Sequence, residues 1–390
     1  MRYRKSALAL AALTVVSLSL LVGCGFNPGD PKQTIGTTST TPAGPGTPPA
    51  ESLLITEAGY WAAAVNPVTN MEYVINDNGT MSVINGVTNA LTSTIQLGGT
   101  PYALAINSET NMIYVTTPIN DTLLVINGAT NTVTATVTDG SVPGNIVVNP
   151  TTNTLYVGNM TGSSISVISG SNNTIAANVV VGSGNLALAV NTASNVIYVI
   201  SELAGTMSVI NGASNTVTAT VPVGAYPLGV ALNPATNTVY VTNSNSFTMS
   251  VINGTTNAVT ATVPVGYLPG AVVVNPVTNT IYVANLDGNS VSVVNGETNA
   301  VTATVPVGIS PVAVAVNTTT NTVYTTNNLS LSVSVINGDT NAVTSTVPVV
   351  GNPEALAVNS DTNMICVGIP GTNTASILNS ATNTVAAVIY

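Results

Sequence analysis

The sequence is almost without positively charged residues. Its 390 residues contain four Lys and Arg, which are Arg2, Arg4, Lys5 and Lys32, and no His. From residue 51 onward there are 13 acidic residues and no basic one. Nucleic-acid-binding proteins neutralise phosphates with Lys and Arg, so this composition excludes a nucleic-acid partner. It also lacks the residues that build Ser-His-Asp triads, haem His ligands, Cys/His zinc sites and Arg phosphate clamps, and we predict no cofactor and no metal site.

The N-terminal segment, from Met1 to Cys24, has the pattern of an export signal. A basic start, Met1 to Lys5, is followed by an apolar run from Ala7 to about Val22. The ending Leu21-Val22-Gly23-Cys24 resembles the bacterial lipoprotein lipobox, which implies that Cys24 becomes the first mature residue and carries lipid. Residues 1–24 therefore predict an exported protein of the cell envelope, anchored to the outer membrane or cell surface through Cys24. The alternative is an uncleaved apolar anchor.

Residues 25–52 are rich in Pro, Thr and Gly and predict an extended, solvated linker. Cysteine is also scarce, because Cys24 and Cys366 are the only two in the sequence. If Cys24 carries lipid, Cys366 has no partner within the chain. The domain that follows must then be stabilised by its core and not by disulfides.

Residues 53–390 contain one repeat in eight copies. A Tyr recurs at a nearly constant spacing in seven copies, and Cys366 occupies the same position in the eighth. The seven tyrosines are Tyr73, Tyr114, Tyr156, Tyr198, Tyr240, Tyr282 and Tyr324. Within residues 226–266, four short runs rich in Val, Ile and Thr alternate with loops of the form Asn-(Pro or Gly)-x-Thr-Asn. Such runs are too short and too β-branched for helices, and the loops have the composition of tight turns. The repeat predicts an all-β protein, a β-propeller of eight four-stranded blades of about 42 residues.

The motifs Asn-Pro-x-Thr-Asn, Tyr-Val-Thr-Asn, Val-Ile-Asn-Gly and Val-Pro-Val-Gly closely resemble the YVTN β-propeller repeat family. That resemblance implies a propeller of the kind found in surface-layer and exported proteins, and it implies no particular chemistry. Single copies depart from the pattern at Ser169, at Cys366 and at Asn379-Ser380. Leu53-Leu54-Ile55 aligns with the end of a fourth strand, which predicts that it overlaps the last blade and helps to close the ring.

The loops divide into two sets. The Asn-x-x-Thr-Asn hairpins barely change from copy to copy, whereas the loops between second and third strands and the connections between blades vary. In an up-and-down blade the two variable sets lie on the same face of the disc, which we call the variable-loop face. It holds aromatic and acidic side chains suited to binding a protein or a sugar. The candidate binding residues are Tyr60, Trp61, Tyr102, Tyr226, Phe247, Tyr267, Glu57, Asp139, Glu202, Asp287 and Glu354.

The sequence contains no recognisable catalytic constellation. A glycosidase-like pair of carboxylates is the one familiar device that needs neither His nor a cation, but the acids are scattered over different blades. The prediction is an exported, lipid-anchored, non-catalytic propeller that acts as an envelope binding or structural module. The alternatives are a surface-layer-like lattice component and a propeller-type hydrolase or oxidoreductase.

Overall fold

The computed structural model describes residues 34–38, 53–55, 62–140 and 142–390. Residues 62–390 form eight four-stranded antiparallel units in a closed ring, with the first strands of successive blades side by side. This confirms the predicted all-β, eight-bladed propeller. Cys24, the predicted lipidation residue, lies outside the described residues, as does most of the predicted linker. The helical content of the described ranges is three single turns, and none is long or apolar enough to cross a membrane.

Each blade is an up-and-down sheet whose strands follow one another in the chain. The first strands are Ala63–Asn66, Ala103–Asn107, Pro143–Asn149, Asn185–Asn191, Pro227–Asn233, Pro269–Asn275, Pro311–Asn317 and Ala355–Asn359. The second strands are Met71–Ile75, Met112–Thr117, Thr154–Asn159, Val196–Ser201, Thr238–Asn243, Thr280–Asn285, Thr322–Asn327 and Met364–Ile369. The third strands are Thr80–Asn85, Thr122–Asn127, Ser164–Ser169, Thr206–Asn211, Thr248–Asn253, Ser290–Asn295, Ser332–Asn337 and Thr374–Asn379. The fourth strands are Ala90–Gln96, Thr132–Thr138, Thr174–Val180, Thr216–Pro222, Ala258–Pro264, Ala300–Pro306, Ala342–Pro348 and Thr384–Ile389. The helical turns are Pro118–Asn120, Ser244–Ser246 and Pro370–Thr372.

The core lies between the blades and toward the ring axis. First strands such as Pro269–Asn275 are buried along their whole length, whereas fourth strands such as Ala300–Pro306 are mostly exposed. The seven repeated tyrosines are all fully buried, as predicted for core residues. Because residues 62–390 contain no Lys, Arg or His, side-chain ion pairs have no part in this core. Apolar packing and backbone ladders hold the ring together.

Two further strands lie at the inner edge of blade 8. Thr34–Thr38 runs parallel to Ala355–Asn359, and Leu53–Ile55 pairs antiparallel with Thr34–Thr38. Leu53–Ile55 thus joins the sheet of the last blade, but at the edge opposite the fourth strand with which its sequence aligns. Blade 8 takes its fourth strand, Thr384–Ile389, from its own repeat. The ring closes by packing blade 8 against blade 1 through side chains such as Ala357 and Val74.

The hairpins show the turn chemistry that the repeat predicted. In blade 5 the Oδ1 atom of Asn253 accepts hydrogen bonds from the backbone N–H groups of Thr255 and Thr256, both at 2.9 Å. Asn237 and Asn257, which end the two hairpins, have positive φ angles of 49° and 56°. The backbone N–H of Gly254 donates to the carbonyl of Asn237 at 2.8 Å. A Cβ at Gly254 would lie 2.6 Å from Oδ1 of Asn237, so this contact between the hairpins favours glycine, although Ser380 makes the same contact in blade 8.

An asparagine ladder joins all eight blades on the face that carries the uniform hairpins, opposite the variable-loop face; we call it the hairpin face. The Asn that ends each first strand donates its side-chain amide to the hairpin Asn of the next blade. Seven of these bonds measure 2.7–3.0 Å, and the eighth, from Asn359 to Asn70, joins blade 8 to blade 1. The donors are Asn66, Asn107, Asn149, Asn191, Asn233, Asn275, Asn317 and Asn359, and the acceptors are Asn111, Asn153, Asn195, Asn237, Asn279, Asn321, Asn363 and Asn70. The repeated Asn pair thus ties neighbouring blades together as well as shaping the turns.

Replacing Asn275 with Ala is expected to cost about 1–2 kcal/mol more unfolding free energy than replacing Asn295 with Ala. Both side chains accept backbone hydrogen bonds in hairpins of blade 6, but only Asn275 also donates to the next blade, at 2.8 Å to Asn321. Urea unfolding of the two variants measures the difference. Equal losses would show that the bond between blades contributes nothing.

Candidate binding face

The variable loops and the connections between blades do lie on one face, and they are hydrogen bonded to each other. The backbone N–H of Ser244 donates to the carbonyl of Tyr226 at 2.9 Å, and that of Val265 donates to the carbonyl of Phe247 at 3.0 Å. Each connection is therefore held against the loop of the blade that it enters or leaves. This pattern fixes which side chains of successive blades become neighbours on the variable-loop face.

Five of the candidate residues form a continuous arc over blades 4 to 6, which we call the aromatic arc. Its members are Glu202, Tyr226, Phe247, Tyr267 and Asp287. Tyr226 donates its hydroxyl to the Glu202 carboxylate, and its backbone holds the turn Ser244–Ser246 that precedes Phe247. The Phe247 ring stacks on Tyr267 with centroids 4.2 Å apart and planes inclined by 29°. The carbonyl of Tyr267 accepts the N–H of Gly288, which follows Asp287.

The arc offers rings and carboxylates to solvent at the same time. Tyr267 is 50% exposed, and Phe247 and Tyr226 are half-buried. Burial raises the pKa of Glu202, and the bond from Tyr226 opposes that effect in part. Burial, together with the neighbouring Glu202, raises the pKa of Tyr226. Partial desolvation also raises the pKa of the exposed Asp287. The two carboxyl groups therefore stand beside aromatic surface with no cation of the same domain to neutralise them.

Phe247 is held in a backbone conformation that its side chain disfavours. Its φ angle is +55°, and the matching loop positions of blades 2, 6, 7 and 8 are Asp121, Asn289, Leu331 and Asn373, with φ between 46° and 54°. Asn and Asp tolerate the left-handed region, whereas a bulky aromatic residue there costs about 1–2 kcal/mol. The stack with Tyr267 offsets part of this cost, since aromatic pairs contribute about 0.5–1.5 kcal/mol. Strain of this kind concentrates at functional sites.

The remaining candidates lie elsewhere. Glu57, Tyr60 and Trp61 fall outside the described residues. Tyr102 is 1% exposed and packs in the core of blades 2 and 3, so its ring is not on the surface. Glu354 is also buried, at 4% exposed, and accepts a hydrogen bond from the Asn328 amide at 3.2 Å. These two positions belong to the body of the propeller and not to an exposed recognition surface.

Asp139 belongs to a second acidic group, between blades 2 and 3. The Ser166 hydroxyl donates to Oδ1 of Asp139, whose Oδ2 is buried without a hydrogen-bond partner. Burial raises the pKa of Asp139, the Ser166 bond lowers it, and the charge of Asp121 raises it. Asp121 accepts the N–H of Val142 at 3.0 Å. Asp121 and Asp139 lie in different loops of the chain, so nothing in the sequence indicates that they are neighbours.

Solved structures with a similar fold include two enzymes. Hydrazine synthase from Kuenenia stuttgartiensis aligns with a TM-score of 0.60 and 16% identity, over 71% of this chain and 94% of that one. Dihydro-heme d1 dehydrogenase NirN, in complex with DHE, aligns with a TM-score of 0.70 and 11% identity, over 83% of this chain and 73% of that one. No protein-family model and no curated protein matches the chain. The propeller fold is thereby supported, while membership of the YVTN repeat family stays a prediction.

These likenesses extend to the fold and not to the chemistry, because propellers host many unrelated functions. The whole sequence contains no His, the residue that most often holds a haem iron through its imidazole. Its only cysteine after residue 24, Cys366, is fully buried.

Proposed function

We propose that this protein is an exported, lipid-anchored β-propeller that binds a protein or glycan of the cell envelope and catalyses no reaction. The observation that carries this proposal is the aromatic arc, where the Phe247–Tyr267 stack lies between the carboxyl groups of Glu202 and Asp287. Aromatic rings supply large contact area at a low cost in side-chain entropy. Carboxylates beside them accept hydrogen bonds from sugar hydroxyls or from the donors of a protein partner.

The rigidity of the propeller supports a binding role. The loops that carry the arc are hydrogen bonded to each other and end strands that are buried in the core. A partner would therefore meet side chains that are already positioned, which reduces the entropy lost on binding. The uniform hairpins on the opposite face lack such an arrangement, since their polar side chains are used in the turns and in the asparagine ladder.

The double substitution Phe247→Ala/Tyr267→Ala is expected to weaken binding of the envelope ligand at least about tenfold, because it removes the aromatic centre of the arc. A glycan array and a panel of envelope proteins, probed with the full chain, would identify the ligand. Val277→Ala is the matched control, since Val277 is 76% exposed on the hairpin face. A ligand that binds the double variant, the control and Trp61→Ala equally well would contradict the proposed surface.

The substitution Cys24→Ser is expected to release the protein from the membrane fraction and to abolish fatty-acid incorporation. The reason is that the lipobox-like segment leaves Cys24 as the residue to which lipid would be attached. Labelling of cells with an alkyne fatty acid measures the modification. Cys366→Ser is the matched control, because Cys366 is buried and its substitution is expected to leave labelling unchanged. Equal labelling of Cys24→Ser and the parent would contradict the anchor.

A surface-layer-like lattice component is a second candidate function. The observation in its favour is a group of exposed apolar side chains next to the arc, formed by Ile309, Leu329 and Leu331 at 54%, 63% and 42% exposure. Exposed apolar groups of this kind often mark protein contacts. Sedimentation of the full chain lacking lipid tests this candidate. A monomer at all accessible concentrations would exclude it.

A propeller-type hydrolase or oxidoreductase is a third candidate, because the similar solved structures are enzymes and because Asp121 and Asp139 interact. Two carboxyl groups whose surroundings differ can divide acid and base roles. Turnover that is lost in Asp139→Asn, in Glu57→Gln or in Glu354→Gln would support this candidate. No turnover across a broad panel of glycosides, esters and lactones would count against it.

A further inference from the structure

The two clearest departures from the repeat meet at the seam between blades 8 and 1. Glu72 occupies the position before the repeated Tyr, and Cys366 occupies the Tyr position itself. In the other seven copies the residue that corresponds to Glu72 is apolar: Ile113, Leu155, Ile197, Val239, Ile281, Val323 and Ile365. In the other seven copies the residue that corresponds to Cys366 is Tyr.

The geometry of the other seams explains why these two residues meet. At those seams the Tyr reaches from one blade to the next. The Tyr324 hydroxyl donates to Oγ of Ser380 at 2.8 Å, and a Cβ at Gly212 would lie 2.7 Å from the Tyr156 hydroxyl. At the closing seam, Cys366 is too short to reach the hairpin of blade 1. The Glu72 side chain points back from blade 1 and lies beside the Cys366 thiol and the Asn359 amide.

The Glu72 carboxyl group is poorly accommodated when charged. The residue is fully buried, and neither carboxylate oxygen has a hydrogen bond of good geometry. Burial raises the pKa of Glu72 to about 7, against smaller lowering effects of Asn359 and Cys366. Burial, and the negative charge of Glu72, raise the pKa of the Cys366 thiol well above its usual value. A neutral carboxyl beside a neutral thiol is therefore the favoured state of the closed seam.

Within the described part of the chain, no other titratable side chain faces this pair. The strands packed around it are Ala63–Asn66, Thr80–Asn85, Ala355–Asn359, Met364–Ile369 and Thr374–Asn379, and Cys366 is their one titratable residue. Tyr73 follows Glu72 in its strand and lies on the opposite face of blade 1. Asn359 is also the donor of the hydrogen bond to Asn70 that completes the asparagine ladder. A charged Glu72 would compete with Asn70 for that amide.

We propose that the seam between blades 8 and 1 is a pH-responsive latch, in which neutral Glu72 keeps the ring closed and charged Glu72 opens the seam to water. The seven other seams have an apolar residue and a Tyr at these positions and lack this response. Opening would separate the first and last blades locally, while the other blades keep their neighbours. The ring would then be tightest in a mildly acidic surrounding.

Cys366 reports on this opening, because it lies in the seam. In full-length Cys24→Ser it is the only thiol, and its rate of reaction with 4,4′-dithiodipyridine follows the open population. We expect the rate relative to the same protein carrying Glu72→Gln to rise at least about tenfold between about pH 5 and pH 7.5 and then to level off. Taking the ratio at each pH cancels the intrinsic pH dependence of the thiol.

Two further variants complete the test. Glu109→Gln removes an exposed hairpin carboxylate and should leave the rise unchanged. Glu72→Ile restores the apolar residue of the other copies and should abolish the rise, and it replaces Glu72→Gln as the reference if that variant does not fold. A ratio that stays within about twofold over the whole range, or a rise that persists in Glu72→Ile, would overturn the latch.

Discussion

Tyr240→Ala is expected to lower the free energy of unfolding by about 4 kcal/mol, within the range found when a buried aromatic side chain is truncated. Tyr240 is fully buried in the cluster that also contains Val272 and Val274 of blade 6, and it pairs with Ala231 and Val251 in its own sheet. Removing the ring leaves a cavity between two blades that the stiff strands cannot close. Guanidinium unfolding measures the loss.

Tyr267→Ala is the matched control for this prediction. Tyr267 is 50% exposed and loses only its stack with Phe247, so about 1 kcal/mol is expected. Both substitutions change Tyr to Ala and remove the same side-chain atoms. Tyr240 lies between blades, and Tyr267 lies on the variable-loop face. Similar losses for both would mean that the repeated tyrosines do not carry the packing between blades.

Through Glu72, the unfolding free energy of the parent protein is expected to fall by about 3 kcal/mol as the pH rises from about 4.5 to about 7, and Glu72→Ile should remove this part of the fall. The pKa of Glu72 is raised from 4.5 to about 7 in the folded protein, so the folded state binds this proton more tightly than the unfolded state. Its stabilising contribution is complete below the unfolded pKa and is lost as the pH passes the folded pKa. Urea unfolding at a series of pH values measures the curve.

Glu202→Gln is the matched control for the pH series. Burial also raises the pKa of Glu202, but this residue is half-buried and its carboxylate accepts a bond from Tyr226. Its substitution should change the slope less than Glu72→Ile does, and the fall between the unfolded pKa of Glu72 and its raised pKa should persist. A parent curve without a fall in this range, or a fall of the same size in Glu72→Ile, would contradict the assignment to Glu72.

The propeller could be predicted because the sequence contains eight copies of one repeat. A nearly constant spacing, four β-branched runs in each copy and Asn-rich turns leave few other architectures for the chain. The asparagine ladder could not be predicted, although both of its residues recur in every copy. Its partners are 45 or 46 positions apart in seven seams, and which two meet depends on how one blade tilts against the next. The turns alone account for asparagine at positions 233 and 237. The sequence therefore does not reveal that both residues also form hydrogen bonds between blades.

For the candidate site, the sequence was sufficient to predict which face of the propeller carries it. Counting strands places the variable loops on one side of the disc, and the structure does bring Tyr226, Phe247 and Tyr267 together there. Tyr102 was misread, because it directly precedes the first strand of blade 2 and its ring turns inward to the core. The Glu72–Cys366 contact had a visible signal, namely two departures from the repeat, but joining them required the ring to be closed.

The closing seam differs from the other seven in its covalent connections. Successive blades are linked by a few residues of chain, whereas blades 8 and 1 are held together by side-chain packing and two hydrogen bonds, from the Asn359 amide to Asn70 and from the Asn78 backbone N–H to Oδ1 of Asn373. A molecule opened at this seam exposes two mutually complementary surfaces. Two such molecules could pair blade 8 of one with blade 1 of the other, in a head-to-tail exchange that forms larger rings or open chains. Dilution favours self-closure, because the two ends of one chain meet at a high effective concentration, and a high protein concentration favours exchange.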